Sequence, residues 1–128
     1  MPDRERVLAF IRMVEAGGYV EALREFYAED ASMQENGEPP RVGRDRLVEH
    51  EWRMLSAHKE ARTLPVEAFL VDGDRVVIHW VFEFTRRDGT SFRMDELAHQ
   101  RWRGDRIVEE RFYYDPAQLW PPKSAPGT

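Results

Sequence analysis

The hydrophobic pattern changes its period halfway along the chain, and this change constrains the fold more than any other feature. In the first half, apolar residues recur at the three- and four-residue spacing of amphipathic helices. From about residue 64 onward they alternate with polar residues, as in strands that bury one face. Helices followed by strands predict an α+β domain, with the helices packed on one face of an antiparallel sheet.

Three helices are predicted in the first half. Asp3 is suited to cap the first, and glycine at position 17 ends its apolar stripe. The second begins near Tyr19, and the third follows Gly43 and runs to about Ala57. The amphipathic stripes indicate that each helix packs on a common core.

A short strand is predicted over residues 30–35, before a turn rich in glycine and proline. Longer strands, separated by Asp-Gly or Gly-Asp pairs, are expected in the second half over residues 64–71, 75–86, 91–103 and 106–115. Because the intervening turns are short, these four strands should form an antiparallel meander.

A chain of 128 residues accommodates one domain, expected here over residues 1–120 with a Pro-rich flexible tail over 121–128. The 19 basic and 24 acidic side chains are interspersed, so no basic patch for nucleic acid is expected. The absence of cysteine excludes disulfides and thiol chemistry. Since neither a membrane-spanning run nor a signal peptide is apparent, no membrane association and a cytoplasmic location are expected.

The alternation also predicts which residues face the core. On the strands over 75–86 and 91–103 the even-numbered positions are mostly apolar, and Glu96 and Gln100 are polar exceptions. The last strand is less decisive, and choosing its even-numbered positions places Glu110 inside. Glu51 falls near the middle of the apolar arc of the third helix. A carboxylate in such a position must be hydrogen-bonded, near water or protonated, so Glu51 and Glu96 are candidates for chemistry.

The run from Phe26 to Glu35, followed by Arg41-Val42-Gly43 and a helix, resembles the nuclear transport factor 2-like superfamily. The branch is the one that holds ketosteroid isomerases and SnoaL-like polyketide cyclases. The ending over 104–115 is also similar to the last hairpin of SnoaL-like domains. The resemblance covers residues from about 3 to 119 and implies a strongly curved sheet that forms a cone-shaped pocket, and a homodimer.

The resemblance also implies roles for individual residues. The general-base carboxylate of the isomerases falls on Glu35, and their supporting tyrosine on the third helix falls on Glu51. Their two proton donors fall on Phe10 and Ala98, which have no proton to donate to a developing enolate. Isomerisation by that machinery is therefore not expected.

The first functional hypothesis is an enzyme that needs no cofactor and acts on a small apolar molecule. Glu35 would be the general base, and Glu51 or Glu96 the acid or an orienting group. Isomerisation, cyclisation, dehydration and hydrolysis all stay open. Ten residues are expected to line the pocket: Phe10, Tyr27, Met33, Trp52, Trp80, Phe82, Ala98, Gln100, Phe112 and Tyr114.

The second hypothesis is a module without catalysis, which binds a small ligand or only dimerises through the outer sheet face. That face carries Val77, Val81, Leu97 and Tyr113 among charged residues. In this case Glu51 and Glu96 would belong to a structural hydrogen-bond network with Tyr19, Tyr27 or Gln100. Neither a phosphate-binding glycine loop nor the His-Glu-x-x-His spacing of a zinc site is present, so no cofactor and no metal are expected.

Overall fold

Three helices form one layer of the fold. A computed structural model describes residues 2–119, and its helices span Arg4–Glu15 (α1), Tyr19–Phe26 (α2) and Arg44–Ala57 (α3). Asp3 accepts a hydrogen bond from the backbone nitrogen of Arg6 at 2.8 Å, which caps α1. All three predicted helices are confirmed. The predicted tail over 121–128 and residue 120 of the predicted domain lie outside the described residues.

The second layer is one curved, open sheet that is mainly antiparallel. Its strands within the described chain are Tyr27–Glu35 (β1), Arg41–Val42 (β2), Glu60–Thr63 (β3), Phe69–Asp72 (β4), Arg75–Thr85 (β5), Ser91–Arg103 (β6) and Arg106–Tyr113 (β7). The order is β2-β1-β7-β6-β5-β3, and β4 also pairs with β5. A short 3-10 helix follows over Pro116–Leu119. The predicted α+β class is confirmed.

The predicted strand over 64–71 is wrong in its extent. Two short strands, β3 and β4, pair with opposite ends of β5 instead, and residues 64–68 separate them. Pro65 lies in this gap, and proline cannot donate to a sheet ladder. Pro65 is therefore a local cause of the break, which the alternation of apolar and polar residues does not indicate.

The first strand departs from the expected antiparallel pattern. β1 runs parallel to β7, with Met33 opposite Glu110 and Glu35 opposite Phe112. The two-residue strand β2, which the sequence did not predict, pairs antiparallel to β1 and places Arg41 opposite Met33. These pairings place β1 between the edge strand β2 and β7.

The inward face of the sheet is the one that the alternation predicts. On β5 and β6 the even-numbered residues from Val76 to Trp80 and from Met94 to Trp102 are buried. On β7 the register shifts where Trp102 pairs with Ile107, which leaves Val108 without a directly opposite partner. After this irregularity Glu110 faces inward and is 3% exposed.

Candidate functional site

A cavity of about 450 Å³ lies between the helices and the concave face of the sheet. Its walls are mainly aromatic and aliphatic, as expected of a site for a small molecule. Six of the ten residues that the sequence predicts for the lining do contribute to it: Phe10, Tyr27, Met33, Trp80, Phe82 and Phe112.

The other four predicted lining residues lie elsewhere. Ala98 and Gln100 are 0% exposed and lie outside the cavity lining. Tyr114 is half-buried outside the lining and reaches the site only through a hydrogen bond to Glu35. The prediction for Trp52 is wrong, because its side chain is 52% exposed. One residue after Glu51 on α3, it is turned about 100° further round the helix, toward solvent.

Four glutamates from four different elements face the cavity. The sheet contributes Glu35 from β1, Glu96 from β6 and Glu110 from β7, and α3 contributes Glu51. Three of them are the carboxylates that the sequence singled out, and they do meet in one cavity. Glu110 is the fourth, and the sequence assigned it no chemical role.

Glu35 is oriented by two donors. The hydroxyl of Tyr114 donates to Glu35 Oε1 at 2.9 Å, and Arg41 forms an ion pair with Oε2. The same Arg41 nitrogen, Nη2, donates to Nε2 of His50 at 2.8 Å, since a guanidinium can only donate. Burial and the nearby Arg41 charge lower the pKa of His50, which is therefore neutral at neutral pH. These contacts hold the Glu35 carboxylate at the wall of the cavity.

Glu110 has a complete set of hydrogen-bond partners. The hydroxyl of Tyr27 donates to its Oε1, and Nε2 of Gln100 donates to its Oε2 at 2.6 Å. The indole nitrogen of Trp102 in turn donates to Oε1 of Gln100 at 2.9 Å. Burial raises the pKa of Glu110 to about 7, although both hydrogen bonds oppose this shift. A structural network of the kind considered for Glu51 and Glu96 is thus built around Glu110.

Glu51 and Glu96 have no hydrogen-bond partner among residues 2–119. Burial, reinforced by the charge of Glu110, raises the pKa of Glu51 to about 7 and that of Glu96 to about 8. At neutral pH Glu96 is therefore mostly protonated and Glu51 is close to half protonated. The cavity thus contains carboxyl groups that can give a proton as well as one that is held by an ion pair.

The far end of the cavity is an aromatic cluster beside a cation. The rings of Phe84 and Phe92 stack with centroids 5.2 Å apart, and the ring of His58 lies 5.1 Å from that of Phe84. The guanidinium of Arg86 lies 4.3 Å from the centroid of Phe92. Leu119, from the 3-10 helix, completes this end.

Sequence reasoning missed the functional surroundings of Glu35. Arg41 was noted only as part of a motif, and His50 only for the absence of a zinc spacing. The turn between β1 and β2 was the signal that could have indicated this contact. It brings Arg41 back to Glu35, which lies six residues earlier in the chain.

Two further features bear on the class of site. Within residues 2–119, no group of three or more histidine, aspartate or glutamate side chains is arranged to hold a metal ion. In the same part of the chain, every helix is too short or too polar to cross a membrane.

Residues 7–110 match the family model of the SnoaL-like domain, and the chain belongs to this family. The family is that of SnoaL-like polyketide cyclase-type domains. The match spans most of α1 to β7 and thus contains all four glutamates of the cavity. Comparison with the curated proteins gave no match.

Solved structures confirm the fold. A protein from Mesorhizobium loti assigned as a SnoaL-like polyketide cyclase is 26% identical, with 89% of this chain and 100% of that chain covered and a TM-score of 0.78. A protein from Jannaschia with the same assignment is 16% identical, with 98% and 99% covered and a TM-score of 0.80. A protein from Catenulispora acidiphila with a ketosteroid isomerase-like fold, crystallised with trimethylamine, is 22% identical, with 93% and 98% covered and a TM-score of 0.75. The predicted resemblance to this group of folds is therefore confirmed.

Proposed function

We propose that the chain is an enzyme without a cofactor that moves a proton on a small, mostly apolar molecule held in the cavity. The observation that carries the proposal is the contrast among the carboxyl groups of one apolar cavity. Glu35 is fixed by Arg41 and Tyr114, whereas Glu96 is buried without a hydrogen-bond partner among residues 2–119. Groups in different environments can take the roles of base and acid in one reaction.

In this proposal Glu35 takes the proton as general base, and Glu96 or Glu51 gives a proton or orients the substrate. A pKa of about 8 for Glu96 and of about 7 for Glu51 suits an acid that works near neutral pH. Arg41 positions Glu35 through their ion pair, and His50 in turn accepts a hydrogen bond from Arg41. The aromatic walls would exclude water from the transfer.

The proton donors of this cavity differ from those that the resemblance to ketosteroid isomerases would imply. Phe10 and Ala98 occupy the donor positions and have no donor group. Glu96 lies two residues before Ala98 on the same inward face of β6. It is the group that would stabilise negative charge developing on a bound carbonyl or hydroxyl.

The test begins with a library of small apolar molecules. Compounds that raise the melting temperature are incubated with the protein, and conversion is followed by proton NMR, whose product spectrum distinguishes isomerisation, cyclisation, dehydration and hydrolysis. Glu35→Gln should lower the rate by about 100-fold or more and leave the ligand-induced rise in melting temperature in place.

Glu38→Gln is the matched control, because Glu38 is an exposed carboxylate three residues further along the chain. This variant should convert substrate at the full rate. Binding without conversion for every ligand would contradict the proposal and favour the module that only binds. Equal rates for wild type and Glu35→Gln would remove Glu35 from the chemistry.

A further inference from the structure

The lining of the cavity has more carboxyl groups than arginine side chains. Among the residues of its lining, the guanidinium of Arg41 is already engaged by Glu35 and His50. Burial raises the pKa of Glu51 and the charge of Arg41 opposes this, but neither Glu51 nor Glu96 forms an ion pair within residues 2–119.

The other lining cation is remote from these two carboxyls. Arg86 comes six residues after Trp80, and Trp80 lies directly opposite Glu96 in the β5–β6 ladder. Six residues of strand span about 20 Å. Arg86 also binds the hydroxyl of Thr90 and the backbone oxygen of Leu119, which hold it at the far end.

Glu96 opens to the cavity and not to a partner in the protein. The residue is 9% exposed, and no donor or acceptor of residues 2–119 contacts its carboxyl group. No side-chain oxygen or nitrogen in this part of the chain is fully buried without a partner, so the carboxyl group is left to what the cavity contains. Glu51, on α3, is half-buried and also lacks a hydrogen-bond partner in the described chain. Burial is the main cause of the raised pKa of Glu96, and the charges of Glu110, Glu35 and Glu51 add to it.

Aromatic faces adjoin the unpartnered carboxyls. The rings of Trp80 and Phe82 stack with centroids 5.5 Å apart, and Tyr19 packs edge-on to Phe82 at 6.4 Å. Because the face of an aromatic ring carries negative charge density, it attracts cations as well as apolar groups. Phe92 of the same cavity already holds the guanidinium of Arg86 in this way.

We infer that the cavity takes a small organic cation, a molecule with a positively charged nitrogen on an apolar body, with the nitrogen placed between Glu51 and Glu96. The inference deepens the proposed function, since it names the substrate class for the same cavity. A neutral carbonyl could accept a hydrogen bond from a protonated carboxyl, but it would not stabilise a carboxylate. A cation stabilises the carboxylate that forms when one of the two groups ionises, and it also suits the aromatic wall.

Binding of the cation has a defined proton balance. One of the two carboxyls ionises and releases its proton to solvent, and the other keeps its proton and can still serve as the acid. Affinity should therefore rise with pH up to the pKa of the ionising carboxyl and level off above it. The other titratable and charged side chains that face this part of the cavity are Glu35, Glu110, Tyr19, Tyr27, Arg41 and His50.

These neighbours do not reverse the expected direction. The pKa of Tyr19 and of Tyr27 is raised by burial, so both stay neutral, and the lowered pKa of His50 keeps it neutral above pH 7. Glu110 shares the burial of the pair and would add to the rise in affinity with pH if it ionised.

The experiment compares benzylammonium with benzyl alcohol, which have nearly the same size and shape but differ in charge. Calorimetric titrations between about pH 6 and pH 8, in buffers of different ionisation enthalpy, give both the affinity and the number of protons released. Benzylammonium should bind more tightly than benzyl alcohol at pH 8. Its affinity should rise about tenfold or more over this range, with up to one proton released, while that of benzyl alcohol stays constant.

Variants then test which carboxyl group of the cavity binds the cation. Glu96→Gln should weaken benzylammonium binding at pH 8 by about tenfold or more, with benzyl alcohol unaffected. Glu49→Gln is the matched control, because Glu49 is an exposed carboxylate on α3 that pairs with Arg53, and it should bind as the wild type does.

Either of two results would overturn the inference. One is benzylammonium binding at pH 8 that is no tighter than that of benzyl alcohol, or absent. The other is tight binding that persists in Glu96→Gln and in Glu51→Gln. The outcome is independent of the conversion assay, because neutral compounds can be converted without any preference for cations, and cations can bind without conversion.

Discussion

Two neighbouring residues on β6 show how strongly the surroundings set the chemistry of a carboxyl group. Asp95 faces outward and accepts a hydrogen bond from Nε2 of His79 at 2.6 Å. Glu96, the next residue, faces the cavity without a hydrogen-bond partner in the described part of the chain, and burial raises its pKa to about 8. Successive strand residues point to opposite faces, so one position separates an exposed, hydrogen-bonded side chain from a buried acid.

This burial makes stability depend on pH in a predictable direction. The folded-state pKa of Glu96 is raised above 4.5, so its contribution to stability is present below about pH 4.5 and is lost as the pH rises through about 8. Glu51 and Glu110 act in the same direction up to about pH 7. We expect Glu96→Gln to have nearly wild-type stability at about pH 5, and to be more stable at about pH 8.5 by on the order of 3 kcal/mol.

Urea unfolding of both proteins at the two pH values measures this difference. His50, whose lowered pKa acts in the opposite direction, is common to both chains and cancels in the comparison. Glu49→Gln again serves as the control and should show no dependence on pH relative to the wild type. An equal change in stability at both pH values would show that Glu96 is not a buried acid.

At the scale of elements, α3 is the part of the fold that brings the helical half of the site to the sheet. It carries Glu51 and His50, and it starts at Gly43, which has a φ of 104°. The backbone nitrogen of Gly43 donates to the carbonyl oxygen of Ala31 on β1 at 2.8 Å. The conformation of this one glycine therefore sets where α3 leaves the sheet.

We expect Gly43→Ala to destabilise the protein by about 1–2 kcal/mol, because a Cβ disfavours this left-handed backbone region. A Cβ at position 43 would meet no atom within 4 Å, so the cost is conformational and not steric. Urea unfolding measures the change, and weaker ligand binding should accompany it through Glu51 and His50.

Gly37→Ala is the matched control. A Cβ there also meets no atom within 4 Å, but Gly37 is not among the positive-φ glycines. This variant should be as stable as the wild type or slightly more stable. Equal losses at both positions would contradict the role given to the backbone of Gly43.

At the scale of the whole molecule, the outer face of the sheet is the surface to which the expected homodimer is assigned. Leu97 lies directly opposite Tyr113 across β6 and β7, and these side chains are 47% and 45% exposed. Leu70, on β4, is 71% exposed and pairs with Val77. The family resemblance implies a second copy of the chain on this face, and the apolar residues suit such an interface.

We expect the wild type to sediment as a dimer and Leu97→Glu to sediment as a monomer, because the substitution buries a charge at the interface. Analytical ultracentrifugation over a range of protein concentrations measures this. Val42→Glu is the control, since Val42 is 52% exposed on the edge strand β2, and it should stay dimeric. A monomeric wild type would exclude the homodimer, and loss of the dimer in Val42→Glu alone would move the interface to the sheet edge.

Much of the architecture follows from local properties of the chain. The three helices and the inward faces of β5 and β6 were predicted because periodicity and capping act over a few residues. The same periodicity placed Glu51 and Glu96 on apolar faces before any contact was known. Glu35 was selected through a family resemblance and lies in the same cavity.

Other features depend on which distant segments meet. The parallel pairing of β1 with β7 joins residues about eighty positions apart, and no local pattern specifies it. That pairing places Glu35 beside the strand of Glu110 and lets Tyr114 reach it. Trp52 shows the reverse case, since its helix position suggested the core but no opposing surface covers it.

The protonation states within the cavity also depend on which distant segments meet. A sequence shows that a carboxyl group is present and which face it occupies, since the backbone repeat is a local property. Whether that group is charged depends on how much water the surrounding elements remove and on which donors they supply. Arg41 donates to Glu35, Tyr27 and Gln100 donate to Glu110, and none of residues 2–119 donates to Glu96. The tertiary structure decided this division, because desolvation and long-range pairing arise only when the helices close over the sheet.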